Sequence, residues 1–256
     1  MSIRTKTKKA VKLLENGNLG EFSKKFDTFF TNKLNMFSVS SAIREVGFMK
    51  EQYKKSGSVE ELVDSLLRIK VLKPTQIRSE IIALLEIVKK NSSQNILEIG
   101  TANGGTIFSF ARMGGDDAVL ATVDLPNRAF GYGYPSWRAR IYRSFPAKGQ
   151  KINLVRGDSH SNETFEEVER VFGSSNVDFL FIDGDHSYEG VKKDFEMYGQ
   201  LVKKGGVVAF HDIVDGDEEF VGGVPRFWSE IKNNYRHDEL VHDWNQGGLG
   251  IGVLYI

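Results

Sequence analysis

The chain has 256 residues, of which 40% are apolar and 27% charged, and its 34 Lys and Arg balance 34 Asp and Glu. This length fits one domain with an added lobe or two small domains, and no apolar run approaches the roughly 18 residues of a membrane-spanning helix. The absence of cysteine excludes disulfides and thiolate metal sites, and it fits a cytoplasmic protein.

Positive charge is concentrated near the beginning of the chain, where residues 1–55 hold 12 Lys and Arg against 5 Asp and Glu. A basic lobe could meet an anionic partner such as a nucleotide sugar, a nucleic acid or a membrane surface. The simpler interpretation is the solvated face of amphipathic helices. Because the segment lacks the aromatic-plus-basic pattern of nucleic-acid modules, we expect no nucleic-acid partner.

The first third of the chain has the apolar spacing of helices. Ser58 and Glu61 form a capping box ahead of one apolar stripe. Pro74 occupies a first-turn position of a second predicted helix, which ends in basic residues. We therefore predict a helical extension over residues 1–75 and a separate domain over residues 76–256.

Five short apolar segments then alternate with segments of helix length: "NILEIG", "AVLATVD", "INLVRGD", "VDFLFID" and "GGVVAFHD". They are apolar throughout, as expected of parallel strands that are covered on both faces. An acidic residue recurs near the end of each segment, at Glu98, Asp124, Asp158, Asp183 and Asp212. The spacing of 25 to 34 residues is that of βαβ units with right-handed crossovers.

The alternation of strand and helix segments changes near the end of the chain. After a predicted helix over residues 223–235, the segments "DELVHDW" and "GLGIGVLYI" are separated only by "NQG". That gap cannot hold a crossover helix, so the pair should be an antiparallel hairpin. The predicted fold is a Rossmann-like, doubly wound α/β sheet of seven strands, five parallel plus the hairpin. It differs from the six-stranded parallel sheet of dinucleotide-binding oxidoreductases.

Polar residues gather where the predicted strands end, and three of the five histidines lie there. In an open α/β sheet, ligands bind beyond the carboxyl ends of the strands. A single buried acid is usually a satisfied structural group or a helix cap, but five acids at one edge indicate a ligand site.

The turn after the first strand narrows the choice of ligand. It lacks Gly-Lys-Ser/Thr, which excludes a P-loop. It reads E-x-G-x-x-x-G, with Glu98, Gly100 and Gly104, where a nicotinamide site would have G-x-G-x-x-G. An acidic residue before the first glycine would repel a pyrophosphate but suits a cationic amine.

This turn, "EIGTANGG", resembles the first motif of the class I S-adenosylmethionine-dependent methyltransferases, and the terminal hairpin resembles their reversed last strand. The stretch "FIDGDHSYEGVKKDFEMYGQLVKKGGVVAFHD" is similar to a subgroup, the methyltransferase domain 24 type. That subgroup includes macrocin-type sugar O-methyltransferases and cephalosporin-hydroxylase-like proteins. The resemblance covers roughly residues 76–256 and implies S-adenosylmethionine as cofactor.

The resemblance also implies roles for individual residues. Gly100 and Gly104 would pack against the methionine part of the cofactor, with Glu98 near its ammonium group. Asp124 would accept hydrogen bonds from the ribose hydroxyls, and Asp158 would lie by the adenine amino group; a turn or helix-cap role is the alternative for both. The full set of implied cofactor residues is Glu98, Gly100, Thr101, Gly104, Asp124, Leu125, Gly157, Asp158, Ser159 and Asp183.

Methyl transfer to a hydroxyl requires alignment of the acceptor and removal of its proton, by a general base or with help from a divalent ion. The predicted catalytic residues are Asp183, His186 and His211, and the predicted metal ligands are Asp183, Asp185, His211 and Asp212. These oxygen and nitrogen ligands suit Mg²⁺ or Mn²⁺. Relatives in the subgroup hold magnesium with an acidic pair on the fifth strand, where this chain has a histidine and an aspartate. A metal-free His/Asp base, a purely substrate-binding site, and a helix-initiating role for His186 remain alternatives.

The segment over residues 126–150 is long, aromatic and basic, and we expect it to contribute an acceptor wall through Tyr132, Tyr134, Trp137 and Arg138. Packing against the N-terminal helices or a second subunit of a homo-oligomer is the alternative. The glycines in residues 221–228 could act as hinges of a lid.

The leading functional hypothesis is an O-methyltransferase acting on a small hydroxylated acceptor, such as a sugar or a glycosylated natural product. One rival is an NAD(P)-binding oxidoreductase, against which the terminal hairpin and the Glu98 turn both count. The other rival is a non-catalytic cofactor-binding module, although such a module would have little use for so many clustered, desolvated acids.

Overall fold

The computed structural model describes residues 39–126, 133–174 and 176–256. The chain divides into two compact units, residues 1–44 and residues 45–256. The described part of the first unit, residues 39–44, is helical. Within the described ranges, no helix combines the length and apolar character needed to cross a bilayer. The predicted domain boundary after residue 75 stays a prediction.

The second unit is built on one seven-stranded sheet. Its strands are β1 (Asn95–Ile99), β2 (Val119–Asp124), β3 (Lys151–Arg156), β4 (Val177–Ile182), β5 (Val202–His211), β6 (Arg236–Leu240) and β7 (Ile251–Tyr255). Their order is β3-β2-β1-β4-β5-β7-β6. Neighbours among β1 to β5 are parallel, while β7 runs antiparallel to both β5 and β6. The predicted fold class is confirmed.

Helices cover both faces of this sheet. They are α1 (Val59–Arg68), α2 (Arg78–Lys90), α3 (Gly105–Met113), α4 (Ala139–Tyr142), α5 (Asn162–Phe172), α6 (Tyr188–Tyr198), α7 (Glu218–Val221) and α8 (Val224–Ile231). On one face Phe110 of α3 packs edge-on against Phe179 and Phe181 of β4. On the other face Phe195 of α6 and Phe227 of α8 pack against Phe210 of β5. All six residues of β4 are buried, which explains why the strand reads as an uninterrupted apolar run.

Two helix predictions differ from the structure in detail. The oxygen of Ser58 caps α1 by accepting the N–H of Glu61, as the sequence predicts. Pro74 is not in the first turn of α2, which begins four residues later, at Arg78. The predicted helix over residues 223–235 is observed as α8 followed by a 3-10 turn, Lys232–Asn234.

The terminal hairpin also differs from its prediction. β6 and β7 pair as expected, but residues 241–250 connect them instead of a three-residue turn. The loop is long because it folds back onto α2. The carboxylate of Glu80 there accepts the N–H groups of His242 and Gly250, each at 3.1 Å, and the side-chain amide of Gln246 at 2.8 Å. Glu80 thus fixes the loop that lies beside the end of β5.

Candidate active site

The turn after β1 depends on two glycines with positive φ, Gly100 at 92° and Gly104 at 79°. A Cβ at position 100 would lie 1.9 Å from the backbone oxygen of Asp183, and a Cβ at 104 would lie 2.6 Å from the ring of Tyr142. Only glycine satisfies both the left-handed backbone and these approaches. The end of β1 is therefore in direct contact with the end of β4.

Asp124 holds this turn against the end of β2. Its Oδ2 accepts the N–H groups of Thr101 at 3.1 Å and Ala102 at 3.0 Å, and its Oδ1 accepts that of Leu125 at 2.7 Å. Burial raises the pKa of Asp124, although the three N–H donors act in the opposite direction. A carboxylate has about four acceptor positions, so one remains on Oδ1. Contact of Asp124 with a cofactor ribose stays a prediction.

Glu98 lies beneath the turn and is fully buried. Its two carboxyl oxygens accept hydrogen bonds from the hydroxyls of Thr106 and Thr122, the latter at 2.8 Å. The hydroxyl of Thr122 in turn lies 2.5 Å from that of Thr101. Burial raises the pKa of Glu98 to about 8, against the opposing effect of the threonine hydroxyls. The predicted contact of Glu98 with the cofactor ammonium is not tested by this geometry.

The turn after β3 carries the other predicted cofactor residues. The N–H of Gly157 donates to the carbonyl of Asp124 at 3.1 Å, which keeps the ends of β2 and β3 together. The carboxylate of Asp158 is 63% exposed, and its Oδ1 accepts the N–H of His160 at 2.9 Å. The side chain that caps α5 is Ser161. Asp158 is thus not the cap of α5, and its Oδ2 is available to a ligand.

A ring of two carboxylates and two imidazoles lies where β4 and β5 end. The Nδ1 of His211 is 3.1 Å from Oδ1 of Asp183 and 3.2 Å from Oδ2 of Asp212. On the other side, Nε2 of His186 is 3.5 Å from Oδ1 of Asp183, and its Nδ1 is 3.3 Å from Oδ2 of Asp212. The carboxylates and imidazoles therefore alternate around the group.

Each charge in this ring stabilises its neighbours. The hydrogen bond to Asp183 raises the pKa of His186 to about 9. Burial alone would lower the pKa of His211, but the nearby Asp183 and Asp212 outweigh it and raise the value to about 10. Burial would likewise raise the pKa of Asp183, yet the two imidazoles hold it well below its usual range. The ring is therefore an array of opposite charges near neutral pH.

The same ring contains the candidate metal ligands among the described residues. Atoms of Asp183, His186 and Asp212 lie within 4.8 Å of one another. His211 contacts both carboxylates but lies outside that group of three. The structure also places the predicted ligand Asp185 outside it, because Asp185 is exposed and its Oδ1 accepts the N–H of Ser187 at the start of α6. His186 therefore replaces the predicted Asp185 in the candidate group of ligands.

Gln76 is a member of the site that the sequence did not indicate. It is 4% exposed, and its side-chain amide donates to Oδ2 of Asp183 at 3.1 Å. Its Oε1 and the Nε2 of His211 are buried without a hydrogen-bond partner in the described part of the chain. Gln76 precedes α2 without any motif of its own, and it reaches Asp183 across 107 positions of sequence.

Comparison with known proteins identifies the segment that carries the site. Residues 97–213 match a family model described as "Methyltransferase domain". The match covers 117 of the 256 residues, and we call this segment the methyltransferase domain. The methyltransferase domain contains the glycine turn, Asp124, Asp158 and the ring at the ends of β4 and β5.

Two curated relatives match parts of this chain, and both are described as uncharacterized proteins. One, y4gI of Sinorhizobium fredii, is 30% identical over 147 residues, which cover 54% of this chain and 15% of that protein. The other, R132 of Acanthamoeba polyphaga mimivirus, is 34% identical over 71 residues, which cover 28% of this chain and 31% of that protein. This chain thus corresponds to less than a third of either relative.

Solved structures share the fold of the methyltransferase domain. An O-methyltransferase from Bacillus cereus in complex with SAH is 20% identical with a TM-score of 0.51, covering 77% of this chain and 90% of that one. The O-methyltransferase TomG from Streptomyces achromogenes, in complex with SAM, is 18% identical with a TM-score of 0.53. That match covers 78% of this chain and 89% of TomG. At these identities the likeness concerns the fold.

The segment between β2 and β3 of the methyltransferase domain carries the side chains that were predicted to form an acceptor wall. Tyr132 lies outside the described residues. Tyr134 is 1% exposed, with its ring packed edge-on against Tyr142 at 4.9 Å, so it offers no face to an acceptor. Arg138 donates to the carbonyl of Val71 at 2.8 Å, and its guanidinium lies over the half-buried ring of Trp137. Tyr134 thus packs within its own segment, and both the acceptor wall and the packing alternative stay predictions.

The predicted lid adjoins the ring directly. The carbonyl of Phe220 lies 2.5 Å from Nδ1 of His186, and the N–H of Gly223 donates to the carbonyl of His186 at 2.8 Å. Gly222 has a φ of 53°, and a Cβ there would lie 2.1 Å from the same carbonyl. The side chain of Phe220 is 69% exposed. Residues 220–223 thus cover His186, and motion of this segment stays a prediction.

Proposed function

We propose that the methyltransferase domain transfers a methyl group from S-adenosylmethionine to a hydroxyl of a small acceptor, such as a sugar or a glycosylated natural product. The observation that carries this proposal is the contact between the two halves of the site. A Cβ at Gly100 would collide with the backbone of Asp183, so the cofactor turn and the charged ring share one rim. A sulfonium donor at the turn would present its methyl group beside the ring.

The cofactor would lie across the ends of β1, β2 and β3. Asp124 has one acceptor position left for a ribose hydroxyl, and the exposed carboxylate of Asp158 could receive the adenine amino group. Glu98 contributes indirectly, because its partner Thr122 also contacts the hydroxyl of Thr101 in the turn. The family match and the fold shared with SAM- and SAH-bound enzymes support this placement.

Methyl transfer is an in-line displacement at an already reactive sulfonium, so the protein mainly aligns the nucleophile and removes its proton. His186 is the more accessible imidazole of the ring, 35% exposed against 3% for His211. We assign His186 to contact the acceptor hydroxyl. Because the pKa of His186 is about 9, its neutral form is the minor form near neutral pH. That form takes the hydroxyl proton on a ring nitrogen, so turnover by this route should rise as the pH approaches 9. His211 would instead hold Asp183 and Asp212 in place.

A divalent cation is the other way to activate the hydroxyl. Two carboxylates and one imidazole within 4.8 Å fit a manganese- or iron-type ion better than magnesium, which prefers oxygen ligands. The Oε1 of buried Gln76, which has no hydrogen-bond partner among the described residues, supports a further ligand near Asp183. Asp183, His186 and Asp212 would hold the ion, which when bound lowers the pKa of a coordinated hydroxyl.

Calorimetry with S-adenosylhomocysteine and with NADH tests the cofactor assignment on the full chain. Binding of S-adenosylhomocysteine is expected; binding of NADH alone would overturn the proposal and favour the oxidoreductase alternative. Turnover is then measured as S-adenosylhomocysteine release over a panel of sugar and phenolic acceptors, with and without Mn²⁺.

Two variants of one strand test the ring. Asp183→Asn should abolish turnover while the cofactor still binds. Asp178→Asn is the matched control, because Asp178 is a buried carboxylate at the opposite end of β4, where it accepts the N–H groups of Gln94 and Asn95. Equal activity of both variants would remove the ring from the mechanism.

A further inference from the structure

α6 carries a buried carboxylate that the proposed chemistry does not use. Asp194 has no exposed surface, and neither of its carboxylate oxygens has a hydrogen-bond partner in the described part of the chain. Its charged neighbour is His160, whose Nε2 lies 3.2 Å from Oδ1. Burying a carboxylate is costly unless it is paired. The contact with His160 is therefore the interaction that offsets the cost of burying the Asp194 carboxylate.

His160 belongs to the turn that carries the predicted adenine contacts. Its backbone N–H donates to Oδ1 of Asp158 at 2.9 Å, while its Nε2 lies 3.2 Å from the carbonyl of Gly190 in α6. The Asp194 carboxylate is the largest influence that raises the pKa of His160, against the effect of burial, and this favours the charged imidazole in the contact. Asp194 is thereby linked to Asp158 through a single residue.

A second side chain of α6 holds the same turn. The hydroxyl of Tyr198 donates to the carbonyl of Ser159 at 2.7 Å, and Tyr198 is fully buried. Tyr198 follows Asp194 by four positions, so both side chains leave the same face of the helix. One face of α6 thus contacts the turn over residues 157–160 at two points, the side chain of His160 and the carbonyl of Ser159.

The same carboxylate also adjoins the turn after β4. A Cβ at Gly184 would lie 3.1 Å from Oδ2 of Asp194, which is closer than an ordinary contact. Gly184 directly follows Asp183 of the charged ring. Asp194 therefore lies between the turn over residues 157–160, which would bind adenine, and the turn after β4, which carries Asp183 of the charged ring.

We infer that Asp194 and Tyr198 are positioning residues for cofactor binding, which hold the turn over residues 157–160 so that Asp158 and Ser159 can receive the adenine of S-adenosylmethionine. This inference rests on the proposed function. Neither residue needs to touch the cofactor. Asp194 acts through its ion-pair contact with the ring of His160, and Tyr198 acts through its hydrogen bond to the carbonyl of Ser159.

The test is the affinity of the full chain for S-adenosylhomocysteine, measured by calorimetry. Asp194→Asn keeps the shape but removes the charge, and we expect affinity to fall about tenfold, the equivalent of ~1.4 kcal/mol. Tyr198→Phe removes one hydrogen bond, with an expected loss of about threefold, and it keeps the test available if Asp194→Asn does not fold. Asp178→Asn and Tyr235→Phe are matched controls, expected to bind as the wild type does.

A double-mutant cycle with Asp158→Asn separates positioning from general destabilisation. If Asp194 acts through Asp158, the double variant should lose clearly less affinity than the two single losses combined. Additive losses would overturn the inference, and so would wild-type affinity in both Asp194→Asn and Tyr198→Phe. In either case the proposed function stands as long as the wild-type chain binds S-adenosylhomocysteine. A wild-type chain that does not bind S-adenosylhomocysteine would instead overturn the proposed function and this inference with it.

Discussion

Glu98 should make the stability of the protein depend on pH in a way that Glu98→Gln removes. The carboxyl group is fully buried, with only the hydroxyls of Thr106 and Thr122 as partners. Gln is close in shape to a protonated Glu and can both accept and donate hydrogen bonds. The substitution therefore keeps the packing beneath the glycine turn and removes only the ability to ionise.

The magnitude follows from the pKa of Glu98, which burial raises from 4.5 to about 8. Between these values the folded protein retains a proton that the unfolded chain has released, so stability falls as pH rises. The stabilisation is complete below pH 4.5 and has been lost once the pH passes 8. One pKa unit corresponds to ~1.36 kcal/mol, so raising the pH from 5 to 7.5 should cost about 3 kcal/mol.

Urea unfolding of the wild type and Glu98→Gln at several pH values measures this cost, because contributions from other groups cancel in the difference. The wild type should lose about 3 kcal/mol relative to the variant between pH 5 and 7.5. Glu166→Gln, which changes an exposed residue of α5, should follow the wild type. A constant difference between the wild type and Glu98→Gln across this range would refute the reasoning.

Three further predictions concern the support of the site. Asp124→Ala strands the N–H groups of the glycine turn and should weaken S-adenosylhomocysteine binding by about 1–3 kcal/mol in calorimetry; unchanged affinity would contradict its assignment. Glu80→Ala removes the acceptor of three loop donors and should lower unfolding free energy by about 1–3 kcal/mol, with faster hydrogen exchange at Gly250; wild-type exchange would show that Glu80 does not fix the loop. Gly100→Ala brings a Cβ within 1.9 Å of the Asp183 carbonyl and should prevent accumulation of folded protein; a wild-type melting temperature would refute that contact.

Patterns within short stretches of sequence sufficed to predict the strands and the rim where they end. Each of the five parallel strands lies at or within a few residues of its predicted segment, because a strand buried on both faces must be apolar along its length. The acids at those ends follow from the geometry of a parallel sheet. The resemblance of the glycine turn and the "FIDGDH" run to methyltransferases agrees with the family match over residues 97–213.

Local sequence patterns did not predict the direction in which a side chain points within a turn. Asp183 and Asp185 are two positions apart, and only the first points into the charged ring, while the second accepts the N–H of Ser187. Tyr134 likewise belongs to an aromatic segment that could cover a ligand or fill a core, and the structure buries it. Turn conformation and packing partners decide these cases.

The sequence by itself determined the sheet, its reversed last strand, the glycine turn and the edge at which the chemistry gathers, because each is encoded by neighbouring residues. Only the tertiary structure decided that Gln76 reaches Asp183, that Glu80 fixes the loop beside β5, and that Asp194 supports the turn of Asp158. These contacts join residues distant in the chain. The packing of the helices on the sheet determines which distant residues meet, and local sequence patterns carry no information about that packing.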